Sequence, residues 1–299
     1  GSISNKTHIE CMDKHNKQGG GRKTGSALPA NAQVAMNHCN LPASIVGSLT
    51  FQRHPVAIVI DGVHELHTRL FAELDRISEQ QARAHYFMDY MTVQFRFEHP
   101  EDNGLDGLNG GLRRDKADYK RVLRGWLFDP NGQEAAVMKS WVESRFGLLT
   151  RYHKGHLYKD YDSDAVSDHY AAYLQARARG LYATNALESQ LDLLYSYCQY
   201  ELAKQYPPTR LIQAYRGINR LQEYEIIERT DRQHAVLLLN NLNSFSLDRE
   251  RADEFGDYVL EVDTCWQKIL FYSGLLPDIL IGEKEVIVIG GLYRVTITH

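Results

Sequence analysis

The stretch Gly282-Glu283-Lys284-Glu285-Val286-Ile287-Val288-Ile289 joins two carboxylates to a continuous run of β-branched side chains. The apolar run predicts a buried β-strand. Side chains alternate along a strand with a period of two, so Glu283 and Glu285 are expected on one face. A solvated, acidic strand entrance is one interpretation of this pair. A carboxylate site that carries chemistry is the other, and the sequence around it decides between them.

Short apolar runs also dominate the chain after Pro208, where turn residues separate them. Their length and their β-branched side chains predict strands. The predicted strands span residues 211–215, 235–239, 258–262, 268–272, 286–289 and 293–298, with one helix at 249–255. The acidic stretch therefore opens a strand in a β-rich segment.

The chain before Pro207-Pro208 has a different pattern, with apolar residues recurring at spacings of three and four, as in amphipathic helices. Helices are predicted at 63–77, 119–126, 133–146, 164–178 and 186–205; a short strand is predicted at 55–60, and 86–97 fits either element. We predict an α+β protein. It would consist of a flexible N-terminal arm (1–38), a mostly helical region (39–207) and a β-rich core (208–299).

The bulk composition excludes several classes of protein. With 299 residues and a net charge of −4, the chain lacks the basic excess of a general nucleic-acid binder. Its four cysteines are scattered, which favours neither a zinc ribbon nor a disulfide framework. Because no long apolar segment or signal core is visible, we expect a cytoplasmic protein without a membrane span. The pairs His64/His67 and His153/His156 are interpreted as solvated or capping histidines, so no metal site is predicted.

Two further polar signals precede the glutamates in the β-rich segment. Arg216 and Gly217 end the first predicted strand; a guanidinium suits phosphate, and glycine lets a ligand approach the backbone. Ser244 and Ser246 follow an apolar run, and if extended they face one side while Phe245 faces the other. Their hydroxyls can hold a carboxylate or a ribose. Each signal alone is compatible with an ordinary surface position.

Arginine, then Ser-x-Ser, then Glu-x-Glu entering an apolar strand is the motif order of the arginine-specific mono-ADP-ribosyltransferases. The chain resembles that superfamily in Tyr215-Arg216-Gly217, Ser244-Phe245-Ser246 and Glu283-Lys284-Glu285-Val286. A closer resemblance, over residues 40–298, is to the family of bacterial dinitrogenase reductase ADP-ribosyltransferases. It is carried by Leu123-Arg124-Gly125-Trp126-Leu127-Phe128-Asp129, Trp141-Val142-Glu143-Ser144-Arg145-Phe146-Gly147-Leu148 and Leu239-Asn240-Asn241-Leu242-Asn243-Ser244-Phe245-Ser246.

The resemblance implies a core of two packed small sheets and NAD as a substrate. It implies transfer of ADP-ribose to an arginine of the nitrogenase iron protein, which inactivates that protein and so regulates nitrogen fixation. It also suggests control by a PII-type nitrogen signal protein. The helical region would serve as support and in partner recognition, and the loop at 273–278 would meet the protein substrate.

The resemblance implies three catalytic residues. Glu285 would stabilise the positive charge that develops on the ribose when the nicotinamide bond breaks. Glu283 would hold the acceptor guanidinium and help to remove its proton. Ser244 would orient Glu285.

It also implies four NAD-binding residues. Arg216 would fix the pyrophosphate or ribose, and the Gly217 backbone would bind the nicotinamide carboxamide. Ser246 would contribute a hydroxyl, and Phe245 would stack on the nicotinamide ring, although the middle position of this motif is more often threonine.

Three alternatives remain open at this point. An NAD glycohydrolase would share the same bond cleavage with water as acceptor, and it would not need Glu283 to hold a guanidinium. A transferase could act on another protein target. A transferase-like fold with an inactive site would be a non-enzymatic interaction module, which the intact Arg, Ser and Glu set argues against.

Overall fold

The computed structural model of the chain describes residues 27–97, 118–160, 163–181, 186–279 and 284–299. Helices precede strands along the chain, and the predicted α+β class is confirmed. The helices are α1 (Ala43–Val46), α2 (Leu49–Arg53), α3 (Val63–Leu66), α4 (Thr68–Arg76), α5 (Gln80–Phe95), α6 (Tyr119–Phe128), α7 (Gln133–Phe146), α8 (Asp168–Leu181), α9 (Leu187–Gln205) and α10 (Arg249–Asp253). The strands are β1 (Leu211–Ile218), β2 (Glu225–Arg229), β3 (His234–Ser246), β4 (Tyr258–Cys265), β5 (Ile269–Tyr272) and β6 (Glu285–Thr298).

Local patterns predict most of the longer elements, but they miss β2, and the helix predicted at 63–77 is two helices, α3 and α4. The ambiguous segment at 86–97 is helical for most of its length, as part of α5. The strand predicted at 55–60 is wrong, because only Ile60 forms a bridge, with Cys39. The side chain of Asn40 instead bonds to the backbone of this segment, donating to the carbonyl of Ala57 at 3.0 Å and accepting from the amide of Val59 at 2.8 Å.

All six strands belong to one hydrogen-bonded sheet in the order β2-β3-β1-β4-β6-β5, with a further pairing of β3 and β6. The prediction of two small sheets is corrected here, because β3 and β6 are long and run through both parts of the sheet. Their pairing shifts register between Leu239 and Leu242, opposite Gly290 and Gly291. A side chain at position 290 would overlap the Asn240 carbonyl, and Gly291 has φ +104°, so this bend requires glycine.

The bend in β3 is also where the helical region is attached. The Asn240 side chain accepts from the backbone amide of Arg151 at 2.9 Å and donates to the carbonyl of Tyr152 at 2.8 Å. The side-chain amide of Asn241 donates to the backbone carbonyl of Lys139, at the middle of α7, at 2.9 Å. Two adjacent asparagines thus satisfy backbone groups of the helical region that the sheet ladder does not reach.

One hydrophobic core joins the helices to the sheet, and α9 packs against β5. Ion pairs reinforce this arrangement. Arg83 of α5 and Glu201 of α9 form a bidentate pair at 2.7 and 3.0 Å, with both side chains buried. Arg151 pairs with Glu225 of β2 at 2.7 Å. Among the described helices, none is long and apolar enough to cross a membrane.

Residues 27–38, the end of the predicted flexible arm, pack against the helical region. Leu28 and Ala32 are buried in the core, and the amide of Val34 donates to the carbonyl of Gly147 at 2.9 Å. The change from helices to strands falls between Gln205, the last residue of α9, and Leu211, the first of β1.

Candidate active site

Strand register brings the three sequence motifs into one row across the sheet. Ser246 of β3 lies directly opposite Tyr215 of β1 on one side and Glu285 of β6 on the other. Directly opposed residues of antiparallel strands have Cα atoms about 4.5–5.5 Å apart and side chains on the same face. The motifs are separated by tens of residues in sequence, and the sheet places all three side by side.

The acidic stretch enters the sheet more abruptly than period-two alternation predicts. Strand β6 begins at Glu285, and Lys284 before it has φ +58°, in the left-handed region. This conformation ends the alternation at Lys284. The Lys284 ammonium lies 3.7 Å from Asp248, and its carbonyl accepts from the Leu247 amide at 2.7 Å. Glu283 lies outside the described residues, so its predicted position beside Glu285 stays a prediction.

The two serines have different surroundings although they share a face. Ser244 lies opposite Ile287, two residue pairs further into the sheet than Glu285. Its hydroxyl accepts a hydrogen bond from the indole N–H of Trp126, in α6, at 2.8 Å. The Ser246 hydroxyl accepts from the Asp248 amide at 3.0 Å. Because each hydroxyl accepts one bond, each keeps its own proton to donate.

Phe245 lies on the opposite face of β3 from the serines. It is 2% exposed and belongs to the hydrophobic core. A ring in this position has no free face on which nicotinamide could stack. We therefore retain no binding role for Phe245.

Arg216 and Gly217 lie near the end of β1, paired with Leu260 and Val259 of β4. The Arg216 side chain is half-buried, and no carboxylate among the described residues forms an ion pair with it. Gly217 has a structural reason to be glycine, because a Cβ there would overlap the carbonyl of Ala252 in α10.

A buried lysine of the helical region lies behind this row. Lys139, in α7, is 2% exposed, and burial lowers its pKa to about 7. The carboxylate of Asp129 raises this pKa, and the positive charge of Arg216 lowers it by a smaller amount. His153, predicted to be solvated or capping, is instead fully buried beside Lys139, with Nδ1 at 3.1 Å from the ammonium. Burial and the charge of Lys139 lower the pKa of His153 to about 4, so its imidazole is neutral at pH 7.

Sequence reasoning thus missed two residues of the helical region that border the motif row. Trp126 lies within a segment that carried the family resemblance, but nothing local indicated that its indole meets Ser244. Lys139 carried no sequence signal at all. The helical region, expected to serve only in support and recognition, therefore contributes side chains to the surroundings of the site.

The arrangement suits a phosphorylated ligand that is cleaved next to a carboxylate. Two cationic groups, Arg216 and Lys139, have no ion-pair partner within the part of the chain that the structure describes. Such a region attracts a diphosphate. Glu285, opposite Ser246 and two residue pairs from Ser244, supplies negative charge to the same row.

Comparison with known proteins agrees with this geometry. A family model described as "Dinitrogenase reductase ADP-ribosyltransferase (DRAT)" matches residues 36–297. The chain is 36% identical over 265 residues to the Rhodospirillum rubrum protein named NAD(+)–dinitrogen-reductase ADP-D-ribosyltransferase, an alignment that covers 88% of this chain and 94% of the relative. No solved structure matches the chain. With the motif row in place and nearly the whole chain matched, the protein belongs to the dinitrogenase reductase ADP-ribosyltransferase family.

Proposed function

We propose that the protein transfers ADP-ribose from NAD to an arginine of dinitrogenase reductase and thereby regulates nitrogen fixation. The observation that carries this function is the row in which Tyr215, Ser246 and Glu285 are paired across three strands. It supports a site in which NAD binding and a catalytic carboxylate are adjacent. The family membership and the name of the R. rubrum relative support the substrate and the partner.

The reaction breaks the bond between the ribose C1′ and the nicotinamide nitrogen, and the electron pair leaves with nicotinamide. Glu285, at the entrance of β6, stabilises the positive charge that develops on the ribose. A new bond then forms between C1′ and a guanidinium nitrogen of the acceptor, which loses one proton. An arginine side chain has a pKa above about 12, so Glu283 assists by holding the guanidinium and accepting that proton.

In this proposal, residues of β1 bind NAD. The Arg216 guanidinium binds the pyrophosphate or the adjacent ribose, which fits its half-buried position without an ion-pair partner among the described residues. The backbone of Gly217 binds the carboxamide of nicotinamide, and close packing of α10 limits the space around it.

The serines orient the carboxylate. The Ser244 hydroxyl accepts from Trp126 and therefore has its proton directed away from the indole, available for Glu285. Ser246 lies directly opposite Glu285 and contributes its hydroxyl to the ribose or the carboxylate.

The loop before the glutamates is proposed to meet the protein substrate. The amide of Ser273 donates to the carbonyl of Glu285 at 2.8 Å, so this loop is attached directly to the catalytic residue. Gly274 and Asp278 are exposed and have positive φ angles. Control by a PII-type signal protein stays a prediction, since no contact of the described residues bears on it.

The test is incubation of the purified protein with NAD, with and without dinitrogenase reductase, followed by mass spectrometry of both proteins. One ADP-ribose on a single arginine of dinitrogenase reductase is the expected result. An adduct on any other residue type would contradict arginine specificity. Nicotinamide release without an adduct would favour a glycohydrolase or another target, and intact NAD throughout would favour an inactive interaction module.

A further inference from the structure

A buried lysine, Lys139 of α7, lies close to the Ser-x-Ser segment, and the carboxylates of the described residues form no ion pair with it. The Lys139 Nζ donates to the carbonyl of Pro130 at 2.7 Å and lies 3.1 Å from Nδ1 of His153. Buried lysines are rare because the charged form loses its hydration, so an ammonium held in this way requires a reason.

The lysine is linked to the catalytic row through Trp126. The Lys139 Nζ lies 5.7 Å from the centroid of the Trp126 ring, within the range of a cation–π interaction. The same indole donates its N–H to the Ser244 hydroxyl at 2.8 Å. The ring is therefore held at its face by a cation and at its edge by the motif serine.

The lysine is also linked to the row through charge. The positive charge of Arg216 makes the charged form of Lys139 less favourable, whereas the carboxylate of Asp129 favours it. An anion bound beside Arg216 would reverse this repulsion. The diphosphate of NAD, the substrate in the proposed function, is such an anion.

We propose that Lys139 is a positioning residue of the NAD site, which fixes the Trp126 indole against Ser244 and adds positive potential to the subsite of Arg216. Because Lys139 is buried, it acts through Trp126 and through its charge, without touching the ligand. This inference rests on the proposed function, because it assumes that the diphosphate binds at Arg216.

The proposal predicts a coupling between NAD binding and a proton. Burial is the largest cause and lowers the pKa of Lys139 to about 7; Asp129 raises it, and Arg216, a smaller cause, lowers it. A diphosphate nearby raises this pKa, so NAD binding takes up a proton above about pH 7, and affinity falls as pH rises through that value. The polar groups that face Lys139 or its neighbour His153 are Asp129 after α6, His153 and Lys154 after α7, Tyr173 of α8 and Arg216 of β1.

The test is isothermal titration of the whole protein with NAD, without protein substrate. Titrations at about pH 8 in buffers of different ionisation enthalpy measure proton uptake, which we expect to approach one proton. The dissociation constant for NAD should rise up to about tenfold between about pH 6.5 and about pH 8.5.

Substitutions of Lys139 distinguish the effect of its charge from the effect of its packing. Lys139→Arg keeps a permanent charge and should bind NAD with little pH dependence and no proton uptake. Lys139→Met should bind several-fold more weakly at about pH 6.5, also without uptake. The matched control is Lys268→Met, which removes another fully buried lysine, bonded to the Gly290 carbonyl at 2.7 Å, and should keep the wild-type coupling.

Trp126→Phe tests the second link. It removes the N–H that Ser244 accepts but leaves the lysine in place, so turnover should fall by about tenfold or less while proton uptake persists.

The outcomes distinguish the inference from the function on which it rests. If wild-type protein binds NAD with no proton uptake and a flat pH profile, the role of Lys139 is overturned and the proposed function stands. If wild-type protein binds no NAD at any pH, both are overturned. The titration of the wild-type protein tests the role of Lys139 by itself, so the proposal can be tested even if the Lys139 variants do not fold.

Discussion

The sheet and the helical region build the candidate site in different ways. In the sheet, register places Ser246 of β3 opposite Glu285 of β6 and opposite Tyr215 of β1, the sequence neighbour of Arg216. The helical region contributes Trp126 and Lys139, which reach the same row by packing across an interface. The groups proposed to perform the chemistry lie on strands of the sheet, and the side chains that surround them come from the helical region.

The two regions also differ in what they bury. The helical region encloses a charged pair, Arg83 with Glu201, between α5 and α9 and away from the motif row. The described motif residues of the sheet are at most half-buried, apart from Phe245 and Val286. This comparison separates residues whose loss unfolds the protein from residues whose loss stops the reaction.

The largest expected effect is on stability, in the helical region. Arg83→Met leaves the buried Glu201 carboxylate without its partner, which should lower the free energy of unfolding by about 3–5 kcal/mol. Arg76→Met removes an exposed arginine paired with Glu73 at 3.2 Å and should cost about 1 kcal/mol or less. Urea denaturation of both variants measures the difference. Equal losses would show that burial does not distinguish the two pairs.

A slightly smaller effect is expected on the reaction, in the sheet. Glu285→Gln should lower the turnover number by about 10²–10³, or about 2.7–4 kcal/mol of barrier, because the amide does not stabilise positive charge. Its unfolding free energy should change by less than about 0.5 kcal/mol. Transfer of ADP-ribose to dinitrogenase reductase is the measurement, and Glu228→Gln, an exposed glutamate of β2, is the control. Wild-type activity in Glu285→Gln would remove this residue from the mechanism.

The smallest effect compares one buried lysine of each region. The folded-state pKa is about 7 for Lys139 and about 8 for Lys268, below the ordinary 10.5, with burial as the main cause. The unfolded chain therefore binds more protons above those values, so stability should rise as pH increases from about 7 to about 9. Above about pH 9 the raised pKa of Cys265, about 11, has the opposite sign.

Thermal melting between these pH values measures the effect. The melting temperature should rise by a few degrees in wild-type protein, and less in Lys139→Met and in Lys268→Met. A melting temperature that falls over this range would contradict the prediction that burial lowers the pKa of both lysines.

The regular elements were largely predictable, and the long strands show where prediction stopped. The sequence predicts two strands, at 286–289 and 293–298, because turn-forming residues, Gly290 and Gly291, lie between them, yet β6 continues through these glycines. Asn240-Asn241 interrupts β3 in the same way. The two dipeptides form a bend in the paired strands β3 and β6, and the bend depends on that pairing. The strands therefore belong to one sheet where the sequence predicts two.

The site was predictable to the extent that it lies on strands. Arg216, Ser244 and Glu285 were identified by their order in the chain, and register places their segments together. Period-two alternation already placed Phe245 on the face opposite the serines, and its burial follows from that pattern. Lys139 was not predictable, because whether a lysine is buried depends on contacts distant in sequence.

The attachment at the bend has a consequence for how the chain folds. Asn240 and Asn241 bond to the segment that follows α7 and to α7 itself, and one apolar core continues from the helices into β3 and β6. The strands that carry the motifs are therefore not an independently folding unit. A fragment beginning at β1 would lack both the cover that α9 provides over β5 and the indole at Ser244, so we expect the strands to need the helical region in order to fold.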